Sequence, residues 1–128
     1  MINVIVAGAA GRMGCRLVAL TKESTTLTLV GAIEGKGHSA VGNDAGEMAG
    51  CGRMGILITD DLSSLLDRGE VVVDFSAPEA TLHHLRAVAQ RKRAMVIGTT
   101  GLSDRQLEEL KSLACQVPCV LSPNMSVG

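Results

Sequence analysis

Short apolar runs rich in valine, isoleucine and leucine alternate along the chain with longer segments in which apolar residues recur every three or four positions. The first pattern is typical of buried strands and the second of amphipathic helices, and their alternation indicates βαβ units. Several runs are apolar throughout, as in parallel strands that are covered on both faces. The sequence therefore predicts an α/β fold, a doubly wound parallel sheet of the Rossmann type in three α/β/α layers.

Six strands and four helices are predicted from this pattern. The strands are Ile2–Ala7, Leu27–Ile33, Ile56–Thr59, Val71–Phe75, Met95–Gly98 and Cys119–Leu121, and the helices are Arg12–Lys22, Leu62–Arg68, Pro78–Gln90 and Asp104–Ala114. Ser76 and Ser103 each stand three residues before Glu or Gln, which is the spacing of a capping box at a helix start. The glycine-rich segment 35–55 shows no sustained period and is predicted to be a long loop, with room for a helical turn near Asp44–Met48.

The segment after the first predicted strand carries Gly8, Gly11 and Gly14 and opens a helix. At such a turn the backbone N–H groups lie at the positive end of the helix dipole, an arrangement that holds phosphate. Glu34 stands at the end of the second strand, where a carboxylate accepts hydrogen bonds from a ribose diol. The alternative is that the glycines only make a tight turn and that Glu34 is a solvated surface acid.

The tetrapeptide Gly-Arg-Met-Gly of this turn, residues 11–14, recurs at residues 52–55. The second copy precedes a strand, so its amides have no helix dipole behind them. The residues around the two copies are not similar, as an internal repeat would require. We interpret the second copy as a coincidence.

Composition narrows the classes of function. Twelve basic and thirteen acidic side chains give a net charge of −1, and Phe75 is the only aromatic residue, so neither nucleic acid nor a membrane is an expected partner. The four cysteines and three histidines do not combine at zinc-ligand spacing, so no metal site is expected and the thiols are expected to be reduced. No signal peptide or apolar membrane span is recognised, so we expect a cytoplasmic protein.

Three later strand ends also carry polar or glycine-rich segments. Doubly wound sheets bind ligands at the carboxyl ends of their strands. Each segment has a purely structural explanation, since Ser76 can be a helix cap and Pro123 a strand stop. At successive strand ends beside the glycine loop they together favour a binding site. The segments are Asp74–Glu79, Gly98–Gly101 and Ser122–Gly128.

Along essentially its whole length the chain resembles the N-terminal domain of the dihydrodipicolinate reductase family of bacterial lysine and diaminopimelate biosynthesis. The resemblance rests on Glu34 and on the segments "AGAAGRMG", "AVGNDAGEMAG", "VVVDFSAPEATLHHL", "VIGTTGL" and "SPNMSVG". It implies a reductase that transfers hydride from a nicotinamide cofactor to a cyclic, unsaturated imine dicarboxylate and gives tetrahydrodipicolinate.

The resemblance also implies a cofactor site. It assigns the pyrophosphate to Gly8, Ala9, Ala10, Gly11, Arg12 and Met13, the adenine ribose to Glu34, the nicotinamide half to Phe75, Gly98, Thr99 and Thr100, and closure over it to Ser122, Pro123, Asn124 and Met125. Family members that use NADPH well commonly carry arginine directly after the ribose acid, where this chain has Gly35 and then Lys36. We therefore expect NADH to be preferred, with NADPH accepted less well through Lys36.

We expect residues 1–128 to form a single dinucleotide-binding domain. In the family, a C-terminal domain supplies the histidine-rich catalytic segment, the catalytic lysine and the tetramer contacts, and the sequence given holds no such segment. The chain is therefore expected to bind cofactor as a monomer, to carry no catalytic residue, and to need the absent domain for its small dicarboxylate substrate. His83 and His84 are interpreted as ordinary helix-face residues.

Three other interpretations stay open. A different two-domain dehydrogenase, such as an aldose or semialdehyde oxidoreductase, would share the glycine loop but not "DFSAPE" or "PNMSVG". A nucleotide- or coenzyme A-sensing module would need the glycine loop alone and would bind ADP as tightly as NADH. A purely structural α/β domain would bind neither.

Overall fold

The computed structural model describes residues 2–121. Its single sheet contains six strands, β1 Ile2–Ala7, β2 Leu27–Ile33, β3 Ile58–Thr59, β4 Val71–Asp74, β5 Ala94–Ile97 and β6 Cys119–Leu121, all parallel and arranged in the order β3-β2-β1-β4-β5-β6. The chain reverses its direction of winding between β1 and β4, which is where doubly wound sheets open a crevice for ligands. The predicted Rossmann-type fold is confirmed.

Helices cover both faces of the sheet: α1 Arg12–Glu23 and the short α2 Ala45–Met48 on one, α3 Pro78–Arg91 and α4 Asp104–Ala114 on the other. Successive residues of β1 point to opposite layers. Val6 packs with Val18 of α1, whereas Ile5 packs with Leu85 of α3, and all four are completely buried. Each such side chain contributes about 1.5–3 kcal/mol through burial, so β1 joins the two apolar layers. Within residues 2–121, no helix has the length and apolar character needed to cross a membrane.

The predicted helix Leu62–Arg68 is wrong. This segment forms consecutive turns, in which Leu65 and Arg68 donate their N–H groups to carbonyls three residues earlier, at 2.9 and 3.0 Å. Starting an α-helix fixes several residues for one hydrogen bond, and seven residues offer few further bonds to offset that cost. Leu62, Leu65 and Leu66 are nevertheless buried, so the apolar pattern found the core contacts but not the backbone geometry.

The two predicted capping boxes had different outcomes. At α4, Ser103 accepts the N–H of Gln106 while the Gln106 side chain accepts the N–H of Ser103, so this box is confirmed. At α3 the N-cap is Ala77, followed by Pro78, and no side chain caps the helix, so the box predicted at Ser76 is wrong. The hydroxyl of Ser76 instead donates to the carboxylate of Asp74, at 2.5 Å.

The glycine-rich segment 35–55 is organised around one buried carboxylate. Asp44, the N-cap of α2, accepts four backbone N–H groups, from Gly46, Glu47 and Met54 on Oδ1 (2.9, 3.1 and 3.0 Å) and from Gly55 on Oδ2 (2.7 Å). These bonds, that of Met54 foremost, lower the pKa of Asp44 below its ordinary 3.8. The second Gly-Arg-Met-Gly therefore has a structural task, since two of its amides bind this carboxylate.

Replacing Asp44 by asparagine is expected to destabilise the fold, because the new side-chain NH₂ would face the N–H of Gly55. A folded-state pKa below 3.8 means that the carboxylate stabilises the protein above that pH, and that this contribution is lost as the pH falls through the lowered value. The urea unfolding midpoint of Asp44→Asn should thus lie below that of the unaltered chain at pH 7. The gap should narrow as the pH falls below 3.8.

The matched control is Asp60→Asn, at an exposed carboxylate just after β3. It removes the same charge but breaks no hydrogen bond among the described residues. An equal effect of the two substitutions at pH 7 would mean that net charge, and not the four amides, sets the contribution of Asp44.

Candidate functional site

Backbone hydrogen bonds align the carboxyl ends of the central strands. In each bond the first residue after one strand donates its N–H to a carbonyl at the end of a neighbouring strand: Gly8 to Ile33 (3.0 Å), Phe75 to Ala7 (3.1 Å) and Gly98 to Asp74 (2.8 Å). The segments that follow β1, β2, β4 and β5 therefore leave the sheet along one edge. This edge contains the switch point between β1 and β4.

The turn from β1 into α1 approaches its neighbours too closely for side chains. Gly8 has φ 81°, and a Cβ there would lie 2.7 Å from the carbonyl oxygen of Phe75. A Cβ on Gly14 would lie 2.0 Å from the carbonyl oxygen of Gly8, because the first turn of α1 rests directly on the loop. At Gly11 the nearest atom would be 3.4 Å away, an ordinary contact. The glycines thus form a cradle of bare backbone, as a bound pyrophosphate requires.

The N-terminus of α1 is open to an anion. Its N-cap, Gly11, has no side chain to accept a helix N–H, and the first turn contains no acidic residue. The N–H of Gly11 donates to the carbonyl oxygen of Gly8 at 3.0 Å. Within residues 2–121 no group accepts the N–H of Arg12 or that of Met13. These amides and the helix dipole favour negative charge at this point.

The carboxylate of Glu34 lies beside the glycine loop. Its Oε2 accepts the N–H of Ala10 at 2.8 Å, and its Oε1 accepts the N–H of Gly35 at 3.3 Å. A carboxylate offers about four acceptor positions, so both oxygens keep capacity for hydroxyl donors. Glu34 is therefore not a freely solvated acid, as the alternative from the sequence held; it is half-buried and tied to the loop.

The ring of Phe75 packs on the backbone of Gly98, across the ends of β4 and β5. A Cβ on Gly98 would lie 2.2 Å from Cε1 of that ring. Thr99 is buried and Thr100 is exposed, both in the segment that leaves β5. This half of the edge thus combines an aromatic face with two hydroxyl groups.

Below it, Asp74 and His84 form a buried polar pair. Asp74 has no exposure and His84 only 7%. Nδ1 of His84 lies 2.8 Å from Oδ2 of Asp74, and Oδ1 of Asp74 accepts both the N–H and the hydroxyl of Ser76, at 2.8 and 2.5 Å. The interpretation of His84 as an ordinary helix-face residue is wrong, whereas His83 is exposed.

The order of these groups is not that of a nucleophilic triad. There the histidine lies between the serine and the acid and takes the serine proton. Here Asp74 lies between Ser76 and His84, and the hydroxyl of Ser76 is bound to the carboxylate. The arrangement fixes the turn after β4 and does not activate a serine.

Cys15 lies in the first turns of α1, and its Sγ contacts the carbonyl oxygen of Ala9 at 3.5 Å. Burial raises the pKa of this thiol, and the negative charge of Glu34 raises it further. Burial also raises the pKa of Cys119. All four cysteines are free, and the raised pKa values keep these two thiols protonated at neutral pH.

The described residues of the predicted cofactor site all lie at this edge. They are Gly8, Ala9, Ala10 and Gly11 in the glycine loop, Arg12 and Met13 at the start of α1, Glu34 after β2, Phe75 after β4, and Gly98, Thr99 and Thr100 after β5. Ser122, Pro123, Asn124 and Met125 lie outside the described residues. The sequence placed Asp74 in a polar strand-end segment but did not predict its pairing with His84. It also gave no role to Thr81, although Thr81, His84 and Val88 recur at the spacing of a buried helix face.

Two comparisons of the sequence agree with one another. A family model described as "Dihydrodipicolinate reductase, N-terminus" matches residues 2–125. The 4-hydroxy-tetrahydrodipicolinate reductase of Syntrophus aciditrophicus is 43% identical over 128 residues, which are the whole of this chain and 48% of that protein. The chain thus spans about half the length of the curated relatives it matches.

Solved structures share the fold. The dipicolinate-bound dihydrodipicolinate reductase from Paenisporosarcina sp. TG-14 is similar with a TM-score of 0.72 at 25% identity, over 96% of this chain and 47% of that one. GenD2 from gentamicin A biosynthesis, solved in complex with NAD, is similar with a TM-score of 0.71 at 19% identity, over 94% of this chain and 34% of that one. The second likeness shows the fold alone.

A methyl group at position 14 is expected to force α1 away from the glycine loop. Overpacking of this kind costs about 1–3 kcal/mol, which exceeds the helix-propensity gain of about 1 kcal/mol from glycine to alanine. Gly14→Ala should therefore lower the free energy of unfolding, measured by urea denaturation. Gly11→Ala in the same loop is the control. Its Cβ would lie 3.4 Å from the carbonyl oxygen of Gly8, an ordinary contact, so this methyl group should be tolerated. Equal stabilities of the two variants would contradict the cradle geometry.

Proposed function

Because the chain belongs to the dihydrodipicolinate reductase family, we propose that it is the NAD(P)H-binding domain of a reductase that converts 4-hydroxy-tetrahydrodipicolinate to tetrahydrodipicolinate. The observation that carries the cofactor part is the junction of the glycine loop with Glu34, at the 2.8 Å hydrogen bond from the N–H of Ala10. At this junction a helix N-terminus that favours an anion and a carboxylate with remaining acceptor positions lie side by side, which supports dinucleotide recognition.

The adenine half of the dinucleotide fits this junction. The N–H groups of Arg12 and Met13 and the dipole of α1 would hold the pyrophosphate, which could approach the backbone at Gly11, where no side chain stands in the way. The two oxygens of Glu34, already oriented by backbone N–H groups, would accept the hydroxyls of the adenine ribose. Ala9 and Ala10 would complete the loop around the phosphates.

The nicotinamide half would lie along the ends of β4 and β5. Phe75 would offer its ring face, and Gly98, Thr99 and Thr100 would orient the carboxamide through backbone and hydroxyl groups that do not titrate. A bound dihydronicotinamide supplies the hydride in reductases of this kind. Ser122, Pro123, Asn124 and Met125 would close over it.

The remainder of the reaction would need residues outside this sequence. We propose that residues 1–128 are one cofactor domain, that a C-terminal domain binds the dicarboxylate and supplies the proton, and that assembly to a tetramer runs through that domain. The chain alone would then be a monomer that binds cofactor without turnover. The proposed role in lysine and diaminopimelate biosynthesis fits a cytoplasmic protein.

We propose a preference for NADH over NADPH on electrostatic grounds. The 2′-phosphate of NADPH would lie near the carboxylate of Glu34, which repels it, and Gly35 offers no side chain to bind it. Lys36, which is exposed, would recover part of the loss as a single mobile charge. The net preference should be about 1–2 kcal/mol.

Calorimetric titration of the chain with NADH and with NADPH in the same buffer tests the proposal. NADH should bind in the micromolar range, and NADPH about five- to thirtyfold more weakly. ADP should bind more weakly than NADH, because it lacks the nicotinamide half. ADP binding as tight as NADH would favour a nucleotide-sensing module, and binding of none of the three would overturn the cofactor site in this chain.

Gly35→Arg should narrow or reverse the preference for NADH. The position has open space around a Cβ and no strained φ, so an arginine can be placed there with Glu34 unchanged. Thr25→Arg, at an exposed position just before β2 and so at the opposite end of that strand from Glu34, adds the same charge and is the matched control. If both variants raise NADPH affinity equally, general charge attraction and not a fork on the 2′-phosphate explains the effect.

A further inference from the structure

One buried hydrogen bond links α3 to the segment that follows β5. Thr81 has no exposure, and its hydroxyl donates to Oγ1 of Thr99 at 2.6 Å. The hydroxyl of Ser76 donates to Asp74 at 2.5 Å, so at its 3.5 Å contact with Thr81 it can only accept, at the far limit of a hydrogen bond. The 2.6 Å bond to Thr99 is much shorter, so the proton of Thr81 is directed to Thr99.

Thr81 departs from the usual behaviour of a helical threonine. A threonine inside a helix commonly bonds back to a carbonyl three or four residues earlier. Thr21 of α1 does so, with its hydroxyl 2.6 Å from the carbonyl oxygen of Val18. Thr81 could use the carbonyl of Ala77, which lies at that spacing, yet its hydroxyl reaches across to a different element. The bond to Thr99 is thus a link between α3 and the strand end.

This link fixes what Thr99 can do. A hydroxyl has one proton and two lone pairs, and one lone pair of Thr99 accepts the hydrogen bond from Thr81. Its own proton has no acceptor within the described part of the chain. Because Thr99 is 7% exposed, an unpaired donor there is costly unless a ligand accepts from it. Asp74 accepts the N–H of Ser76 and so fixes the turn that carries Phe75. The ring of Phe75 is thereby kept against Gly98, next to Thr99 in the chain.

We infer that Thr81 is a positioning residue for the nicotinamide half of the cofactor: it occupies the acceptor side of Thr99 and so directs the Thr99 proton to the carbonyl oxygen of the carboxamide. The inference rests on the proposed function. Thr81 itself need not touch the cofactor, since it acts through Thr99. The buried Asp74–His84 pair fixes the neighbouring turn after β4 through the hydrogen bonds that Asp74 accepts from Ser76.

The test compares two ligands that differ only in the nicotinamide. NADH and ADP-ribose are titrated into the 128-residue chain and into Thr81→Val, which keeps the shape of the side chain and removes the hydroxyl. The variant should lose roughly three- to tenfold in NADH affinity and retain its affinity for ADP-ribose. Thr81→Ser, which restores the donor, should recover NADH binding. Thr21→Val, another buried threonine without a link to the site, should change neither affinity.

The possible failures are distinct. If the unaltered chain binds neither ligand, the proposed cofactor site is wrong and the inference falls with it. If the unaltered chain binds both but Thr81→Val weakens both equally or weakens neither, the positioning role alone is overturned. Should the valine variant not fold, Thr81→Ala removes the same hydroxyl without adding bulk at Cγ and carries the same expectation.

Discussion

A helix can start this close to the end of a strand only where no side chain separates the two backbones. In this protein the first turn of α1 lies on the carbonyl of Gly8, and Gly8 in turn lies on the carbonyl of Phe75. These contacts bring three elements together at the switch point of the sheet. The open helix terminus, the position of Glu34 and the alignment of the strand ends all depend on this backbone contact. Glycine here shapes the site by what it leaves out.

The sequence predicted the elements whose signals are local and repeated. The bounds of β1, β2, β6 and α4 agree with the structure, because apolar runs and a reciprocal cap are encoded in neighbouring residues. The glycine spacing and Glu34 identified one edge of the sheet, and the described residues of the predicted site lie there. What the pattern could not give was backbone detail where a short segment must choose between an α-helix and turns, as at Leu62–Arg68.

The sequence also could not predict which side chains from distant parts of the chain form hydrogen bonds with one another. Ser76 has the spacing of a helix cap, but a buried carboxylate two residues earlier competes for its hydroxyl and wins because a charged acceptor makes the stronger bond. The residues around His84 in the sequence do not indicate that it pairs with Asp74 of β4. Asp44 likewise gathers amides from up to eleven residues away along the chain. Such convergence is decided by tertiary contacts, which a single sequence records only as isolated polar residues in apolar surroundings.

The hydrogen bond between Glu34 and the N–H of Ala10 couples two tasks that are usually discussed apart. If the carboxylate reads the ribose while it also braces the glycine loop, the residue cannot be exchanged for the sake of cofactor choice without loosening the loop that holds the phosphates. Evolution toward a different nucleotide would then proceed more easily by additions at Gly35 or beyond than by replacement of the acid. In such a lineage Glu34 would be retained while position 35 changes, so the residue at position 35 would indicate which cofactor had been used.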